Sequence, residues 1–146
     1  TLFIPLIMSS GGNSGSQATS LLIPSLALHD VKLSDWWRVM MREIPMGLTL
    51  GAVLGIIGAV RIAVWQEAGF FDYGQHWQLI AATVAATLIG IVTFGSLTGA
   101  MLPFILKRLG FDPASASAPF VATLVDVSGL VIYFTVALVF LKGTLL

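Results

Sequence analysis

One charged side chain lies within the last long apolar stretch of the sequence. Between Ala114 and Leu141 the only charged residue is Asp126, close to the middle of the stretch. If this stretch crosses a bilayer, the carboxylate lies near mid-membrane, where inserting an Asp costs roughly 2.5–3.5 kcal/mol. A bundle interior, a water-filled cavity or a bound cation must then offset that cost.

The residues around Asp126 suit an oxygen-ligated cation. Pro119, Ala122, Asp126, Gly129 and Tyr133 share one helix face by three- and four-residue spacing. Pro119 is expected to distort the helix and to leave the Ala122 carbonyl partly free. Carboxylate and carbonyl oxygens match hydrated Mg²⁺ better than zinc, which favours His and Cys.

Two other interpretations of this carboxylate are a proton relay and a polar clamp between helices. A symmetric dimer would place a second Asp126 near its axis and strengthen the cation interpretation. An aspartyl hydrolase needs two carboxylates that share a proton. Only one acid lies at membrane depth, so we expect no enzymatic activity.

A second polar stretch, Ser9–Ser20, interrupts the apolar beginning of the chain. It combines glycines with Asn13, Gln17 and several hydroxyl groups. Such a stretch is tolerated at membrane depth only where it faces protein or water. This favours a bent or loosened helix that lines a cavity; a soluble loop between short helices is the alternative.

The composition is that of an α-helical membrane protein. The 146 residues are 57% hydrophobic and 10% charged, whereas soluble domains carry about 25% charged residues. The formal net charge is zero, so no broad basic surface for nucleic acid is expected. There is no cysteine, which excludes disulfides and thiolate metal sites.

Four apolar segments predict an all-α transmembrane helix bundle that forms one domain over residues 1–146. The segments cover about residues 1–28, 34–66, 76–109 and 113–142. Ser34 or Asp35 is predicted to cap the second helix, Gly110 to end the third, and Asp112-Pro113 to begin the fourth. Glycines at four-residue spacing in the second segment predict a flat packing strip: Gly47, Gly51 and Gly55, followed by Gly58.

Basic residues in the connections predict the orientation of the bundle. Residues 29–43 and 107–113 hold most of the Lys and Arg, so the positive-inside rule makes both loops cytoplasmic. The C-terminus then lies outside. Thr1 also begins outside, which predicts that a further membrane segment precedes it.

Two motifs give the chain a family resemblance. Pro5–Gln17 (PLIMSSGGNSGSQ) and Ala118–Gly129 (APFVATLVDVSG) resemble the membrane domain of the MgtE magnesium transporters and channels, which are related to solute carrier family 41. The spacing between the motifs also fits, so the resemblance covers essentially the whole chain.

The resemblance implies a homodimer with five transmembrane helices per subunit and a pore at the dimer interface. The four segments here correspond to helices two to five. It implies that Asp126 binds hydrated Mg²⁺ with help from the Ala122 carbonyl, and that Gly11, Gly12 and Asn13 line the same path. Family members usually also carry a cytosolic helical domain and CBS domains that bind Mg²⁺ and close the pore.

The expected function is therefore a magnesium channel or transporter in the bacterial inner membrane. Its partners would be the lipid bilayer, divalent cations and a second copy of the chain, with Mg²⁺ as the transported ion and no organic cofactor. A proton-coupled divalent cation exchanger and a non-transport membrane anchor subunit are the alternatives.

Overall fold

Four α-helices make up the computed structural model, which describes residues 2–115 and 117–143. They are α1 (Ile4–Ala27), α2 (Trp36–Ala68), α3 (Trp77–Arg108) and α4 (Ala118–Leu141). Short 3-10 turns at Leu33–Asp35 and Pro113–Ser115 precede α2 and α4. The predicted all-α class is confirmed, since no strand occurs in the described residues.

Three of these helices are long and apolar enough to cross a membrane. They are Leu33–Ala68 (the turn plus α2), α3 and α4. At 24 residues, α1 is about 36 Å long and also has the length to span, but its polar centre lowers its hydropathy. Four membrane segments were predicted, and α1 is the one that does not qualify by composition.

The α3 helix lies at the centre of the bundle. It packs against α1, α2 and α4, and α1 also packs against α4, whereas α2 lies chiefly against α3. Buried Ile7 and Ile91 belong to one apolar cluster, and Leu22 and Phe104 to another. Because these clusters follow α1 and α3 along most of their length, α1 lies at the same depth as the membrane-spanning helices.

The glycine strip of α2 packs closely against another helix, as its spacing predicted, and that helix is α3. A methyl group at Gly51 would lie 2.6 Å from the Ile89 Cα, and one at Gly47 would lie 2.7 Å from the Thr93 Cα. Distances this short leave no room for a side chain. Small residues therefore let the two backbones approach closely, which is how helices gain van der Waals contact inside a bilayer.

Glycines also join α1 to α3, and here they lie on both helices. A methyl group at Gly95 would lie 2.5 Å from the Gly11 carbonyl oxygen, and one at Gly99 would collide with the backbone of Gly15. Hydroxyl groups reinforce the contact. The Ser14 and Ser96 hydroxyls are 2.5 Å apart, and Thr19 Oγ1 donates to the Gly99 carbonyl at 2.8 Å.

The predicted loosening of Ser9–Ser20 is wrong, because α1 is a continuous helix throughout. An unbroken helix keeps its backbone groups paired where no water can replace them. The polar side chains are accommodated in other ways. Ser10 Oγ donates to the Leu6 carbonyl at 2.7 Å, and Gly11 and Gly15 pack against α3.

The predicted start of the fourth helix is also wrong. Asp112 and Pro113 begin a separate 3-10 turn, and α4 begins at Ala118 with Ser117 as its N-cap. The Ser117 hydroxyl accepts a hydrogen bond from the Phe120 N–H at 3.4 Å. Pro119 thus falls in the first helical turn, where its missing N–H would have no intrahelical partner, so it causes no distortion before Asp126.

Two predicted helix boundaries are found. Gly110 adopts a left-handed φ of 87° after α3 ends at Arg108, as a C′ glycine does. Asp35 directly precedes α2, although its carboxylate accepts from the Lys32 N–H at 2.9 Å rather than from α2 itself.

Hydrogen bonds to the Asp72 carboxylate stabilise the connection between α2 and α3. Its Oδ1 accepts from the Gln66 side chain at 3.0 Å and from the Gly74 N–H at 2.8 Å. These bonds, the Gln66 one foremost, hold the pKa of the Asp72 carboxyl below its usual value. The loop therefore carries a negative charge at the end of the bundle opposite to Lys107 and Arg108.

Gly95→Ala should destabilise the protein by about 1–3 kcal/mol, because its methyl group meets the carbonyl oxygen of a packed helix. Gly90→Ala in the same helix is the control. Its methyl group would lie 3.7 Å from Ile132 Cγ2, which is an ordinary contact, so helix propensity should make it neutral or stabilising by up to about 1 kcal/mol. Unfolding in detergent, followed by circular dichroism, compares the two. Equal stability of both variants would contradict the close α1–α3 contact.

Candidate cation site

The carboxylate of Asp126 lies near the mid-height of the bundle. Its neighbour Val125 is buried against α3, where a methyl group at Gly95 would lie 3.3 Å from Val125 Cγ1. Gly95 is close to the middle of the long helix α3, so Asp126 is far from both ends of that helix. Depth within the bundle makes the charge costly wherever its surroundings are hydrocarbon.

Gly12 on α1 faces Asp126 directly. A methyl group at Gly12 would lie 2.8 Å from Asp126 Oδ1 and 3.6 Å from the Ala122 carbonyl oxygen. Gly12 is buried, whereas Ala122 and Asp126 remain partly exposed. The absence of a side chain at Gly12 therefore lets α1 lie close to two oxygens of α4, one charged and one a carbonyl.

Gly11 and Asn13 point in other directions. A methyl group at Gly11 would collide with Ile91 of α3 and lie 3.0 Å from Val125 Cγ1, so Gly11 faces the packed interior. Asn13 is exposed, and its Nδ2 donates to the Ser9 hydroxyl at 3.3 Å. Of the five predicted residues, the structure brings together Asp126, Ala122 and Gly12.

An exposed row of polar side chains runs along α1 beside this contact. We call it the polar stripe, and its members follow one another by three or four residues: Ser9, Asn13, Gln17 and Ser20. It lies next to the face of α1 that touches α4. Amide and hydroxyl groups at this depth require water or protein to cover them, since lipid offers no hydrogen bonds.

Ser16 fixes the beginning of α4 relative to α1. Its hydroxyl donates to the Ala118 carbonyl at 3.0 Å, about two helical turns before Asp126. The sequence did not single out Ser16. Ser16 is one of several small polar residues in a row, and its residue type does not distinguish it from its neighbours. Its partner is 102 positions away, so the local sequence does not indicate the bond.

Fewer residues of α4 share the partly exposed face of Asp126 than the sequence predicted. Gly129 and Tyr133 are buried, and a methyl group at Gly129 would lie 3.5 Å from Ile91 Cδ1. Both residues therefore turn toward α3 rather than toward the space beside Asp126. The residues exposed on the carboxylate's side near the start of α4 are Pro119 and Thr123.

The groups that could ligate a cation at this site are oxygens, and they include a single carboxylate. Within residues 2–115 and 117–143, no group of three or more His, Asp or Glu side chains could enclose a metal ion. One carboxylate, a carbonyl and neighbouring amide and hydroxyl groups suit a hard cation that keeps most of its waters. They do not suit a dehydrated ion held in a closed protein cage.

Comparison with known proteins agrees with this chemistry. Residues 4–136 match the family MgtE, described as a divalent cation transporter. The chain is 41% identical to the magnesium transporter MgtE of Thermus thermophilus, and 33% identical to that of Enterococcus faecalis. Each comparison covers 97% of the chain and 29% of the relative, so the chain spans less than a third of the length of these proteins.

Ser16→Ala should lower stability by roughly 0.5–1 kcal/mol, the usual range for a hydrogen bond between membrane helices. Ser9→Ala is the matched control. Ser9 lies on the same helix, is exposed, and bonds only within α1, so its loss should be close to neutral. Thermal unfolding of both variants in one detergent tests the difference. A neutral Ser16→Ala would show that this hydroxyl does not hold α4.

Proposed function

The chain belongs to the MgtE family of divalent cation transporters, and from that premise we propose that it conducts hydrated Mg²⁺ through a pore between two subunits. The observation that carries the proposal is the partly exposed Asp126 carboxylate beside the bare backbone of Gly12 at mid-height. Because the chain covers 29% of its relatives, we assign it the ion-conducting part of such a protein.

Hydrated Mg²⁺ fits the chemistry of these donors. Mg²⁺ dehydrates reluctantly, keeps several waters, and is usually held through one or two carboxylates. Waters around the ion would donate to Asp126 and to the Ala122 carbonyl. That carbonyl belongs to an unbroken helix, but its second lone pair is available to such a water. Gly12 lets the carboxylate keep its position against α1, because no side chain displaces it.

A homodimer accounts for the polar stripe. In a single chain the stripe is exposed and Asp126 is partly exposed, and hydrocarbon would offer their polar groups no hydrogen-bond partners. A twofold axis beside Asp126 would place two carboxylates and two stripes around one water-filled path. Asn13 then lines the path. Gly11 acts indirectly, by letting α1 approach α3.

The positions of the basic residues determine the orientation that we propose for the bundle in the membrane. With Lys107 and Arg108 on the cytoplasmic side, residues 29–43 and 107–113, which include the beginning of α2 and the end of α3, are cytoplasmic and the C-terminus lies outside. A bacterial inner membrane is the setting that matches the bacterial relatives. The function is transport, with Mg²⁺ as cargo rather than as a resident cofactor.

A proton-coupled divalent cation exchanger is the second candidate, because a lone carboxylate at this depth can also carry a proton. The two differ in their driving force. A channel follows voltage and the Mg²⁺ gradient alone, whereas the exchanger needs a pH gradient. A membrane anchor, the third interpretation, needs only a hydrogen bond at position 126, which an amide can supply.

Asp126→Asn should reduce Mg²⁺ uptake to the background of vesicles without protein, since the amide keeps the size but lacks the charge that attracts the cation. The full-length protein in proteoliposomes with a Mg²⁺-sensitive dye provides the measurement. Glu67→Gln, an exposed residue near the end of α2, removes the same charge away from the site and should leave uptake unchanged. Normal uptake by Asp126→Asn would contradict the proposal, because it would show that the charge is not needed. Uptake that requires a pH gradient would favour the exchanger, and absence of uptake by the parent protein would favour the anchor.

Gly12→Ala should lower Mg²⁺ uptake substantially while the protein stays folded. The new methyl group would lie 2.8 Å from the Asp126 carboxylate, which can rotate away, but 3.6 Å or more from the backbone of α4. Gly90→Ala, which meets no close atom, is the control and should transport normally. The same dye assay measures both variants. Full activity of Gly12→Ala would contradict the role of the close contact between Gly12 and the Asp126 carboxylate.

A further inference from the structure

A groove separates the beginning of α2 from the end of α3, on the far side of α3 from the Asp126 site. Its volume is about 640 Å³, which falls in the range of small-molecule sites, about 300–1,000 Å³. Met101 and Phe104 of α3 line its apolar part, and Trp36 lines it from the beginning of α2. None of these residues contributes to the proposed cation path.

The groove opens sideways onto the apolar surface of the protein. Ile105 and Trp36 line it and are 51% and 42% exposed. Beyond them, Leu109 and Met41 are exposed as well. Since α2 and α3 are both apolar enough to cross a membrane, this surface faces acyl chains, and the groove is accessible from the bilayer.

The lining changes from apolar to cationic along the helix axis. From Met101 to Arg108 the α3 helix rises about 10 Å. Arg108 and the neighbouring Ser34 provide the polar part of the lining, and Arg108 is its one charged side chain. Trp36 and Trp37 pack edge to face at 5.5 Å beside this end, as aromatic residues do at the membrane interface.

The guanidinium of Arg108 is available to a ligand. Within residues 2–115 and 117–143 it has no hydrogen-bond or ion-pair partner. The nearest acid in sequence across the groove is Asp35, whose Oδ2 already accepts from the Lys32 N–H. A planar guanidinium binds a phosphate group through two parallel hydrogen bonds.

We propose that this groove binds an anionic phospholipid, with an acyl chain between Trp36 and Met101 and the phosphate at Arg108 and Ser34. The order of the lining matches the order of a lipid, from tail to headgroup. A negatively charged lipid is preferred over a zwitterionic one, because it has no cationic headgroup to oppose Arg108. The proposal is independent of Mg²⁺ transport, since no residue of the groove contacts the Asp126 site.

Native mass spectrometry of the full-length protein tests this proposal. Delipidated protein in detergent is mixed with phosphatidylglycerol or with phosphatidylcholine, and the lipid retained per chain is counted. We expect retention of phosphatidylglycerol over phosphatidylcholine. Arg108→Gln should weaken phosphatidylglycerol binding about tenfold, as expected for the loss of a hydrogen bond to a charged group. Ile105→Trp, which narrows the groove, should reduce the binding of both lipids.

Two neighbouring variants serve as controls. Lys107→Gln removes the same charge one residue away, and Leu109→Trp adds the same bulk at an exposed position; neither residue lines the groove. Both should bind phosphatidylglycerol as the parent does. Equal retention of the two lipids, or equal loss in Arg108→Gln and Lys107→Gln, would overturn the proposal. A crosslink from Ile105 to another protein segment or a second copy would show a different occupant and would also overturn it.

Discussion

The need to pair every polar group away from water governs the arrangement of this protein. Inside a bilayer an unpaired backbone group costs several kcal/mol, and a carboxylate costs more. The glycine-rich α1 meets this constraint by staying helical and by turning its hydroxyls into contacts with α3 and α4. Among the described residues, the polar stripe of α1, where Asn13 bonds only to Ser9, and Asp126 of α4 have no hydrogen bond to another helix, and they lie next to one another. Water within a dimeric pore would satisfy both.

Close backbone packing places Asp126 beside Gly12. Gly11 and Gly15 bring α1 against Gly95 and Gly99 of α3, and this contact fixes which face of α1 is left for α4. Gly12 follows Gly11 by one position and so points toward α4. The two adjacent glycines therefore act differently: Gly11 permits the packing on α3, and Gly12 lets the carboxylate lie against α1.

Part of this arrangement could be predicted from the sequence, because membrane helices restrict polar residues so strongly. The helical class and the α2 glycine strip follow from residue type and spacing. The direction of Gly11 could not be predicted, since it depends on which face of α1 meets α3. The role of Pro119 was misjudged because it depends on where α4 begins, and Ser117 rather than Asp112 caps that helix. The bond from Ser16 to Ala118 joins residues too distant in sequence to be paired by inspection.

Chemical accessibility of the polar stripe tests the central claim most directly. The 146 residues contain no cysteine, so a single Asn13→Cys can be labelled with a membrane-impermeant methanethiosulfonate, after replacement of any cysteines elsewhere in the full-length protein. Val131→Cys, at an apolar position 65% exposed on α4, is the lipid-facing control. The account predicts that Asn13→Cys reacts, that Mg²⁺ slows the reaction, and that Val131→Cys stays unmodified. An Asn13→Cys thiol as unreactive as Val131→Cys would place the stripe away from water and contradict the account.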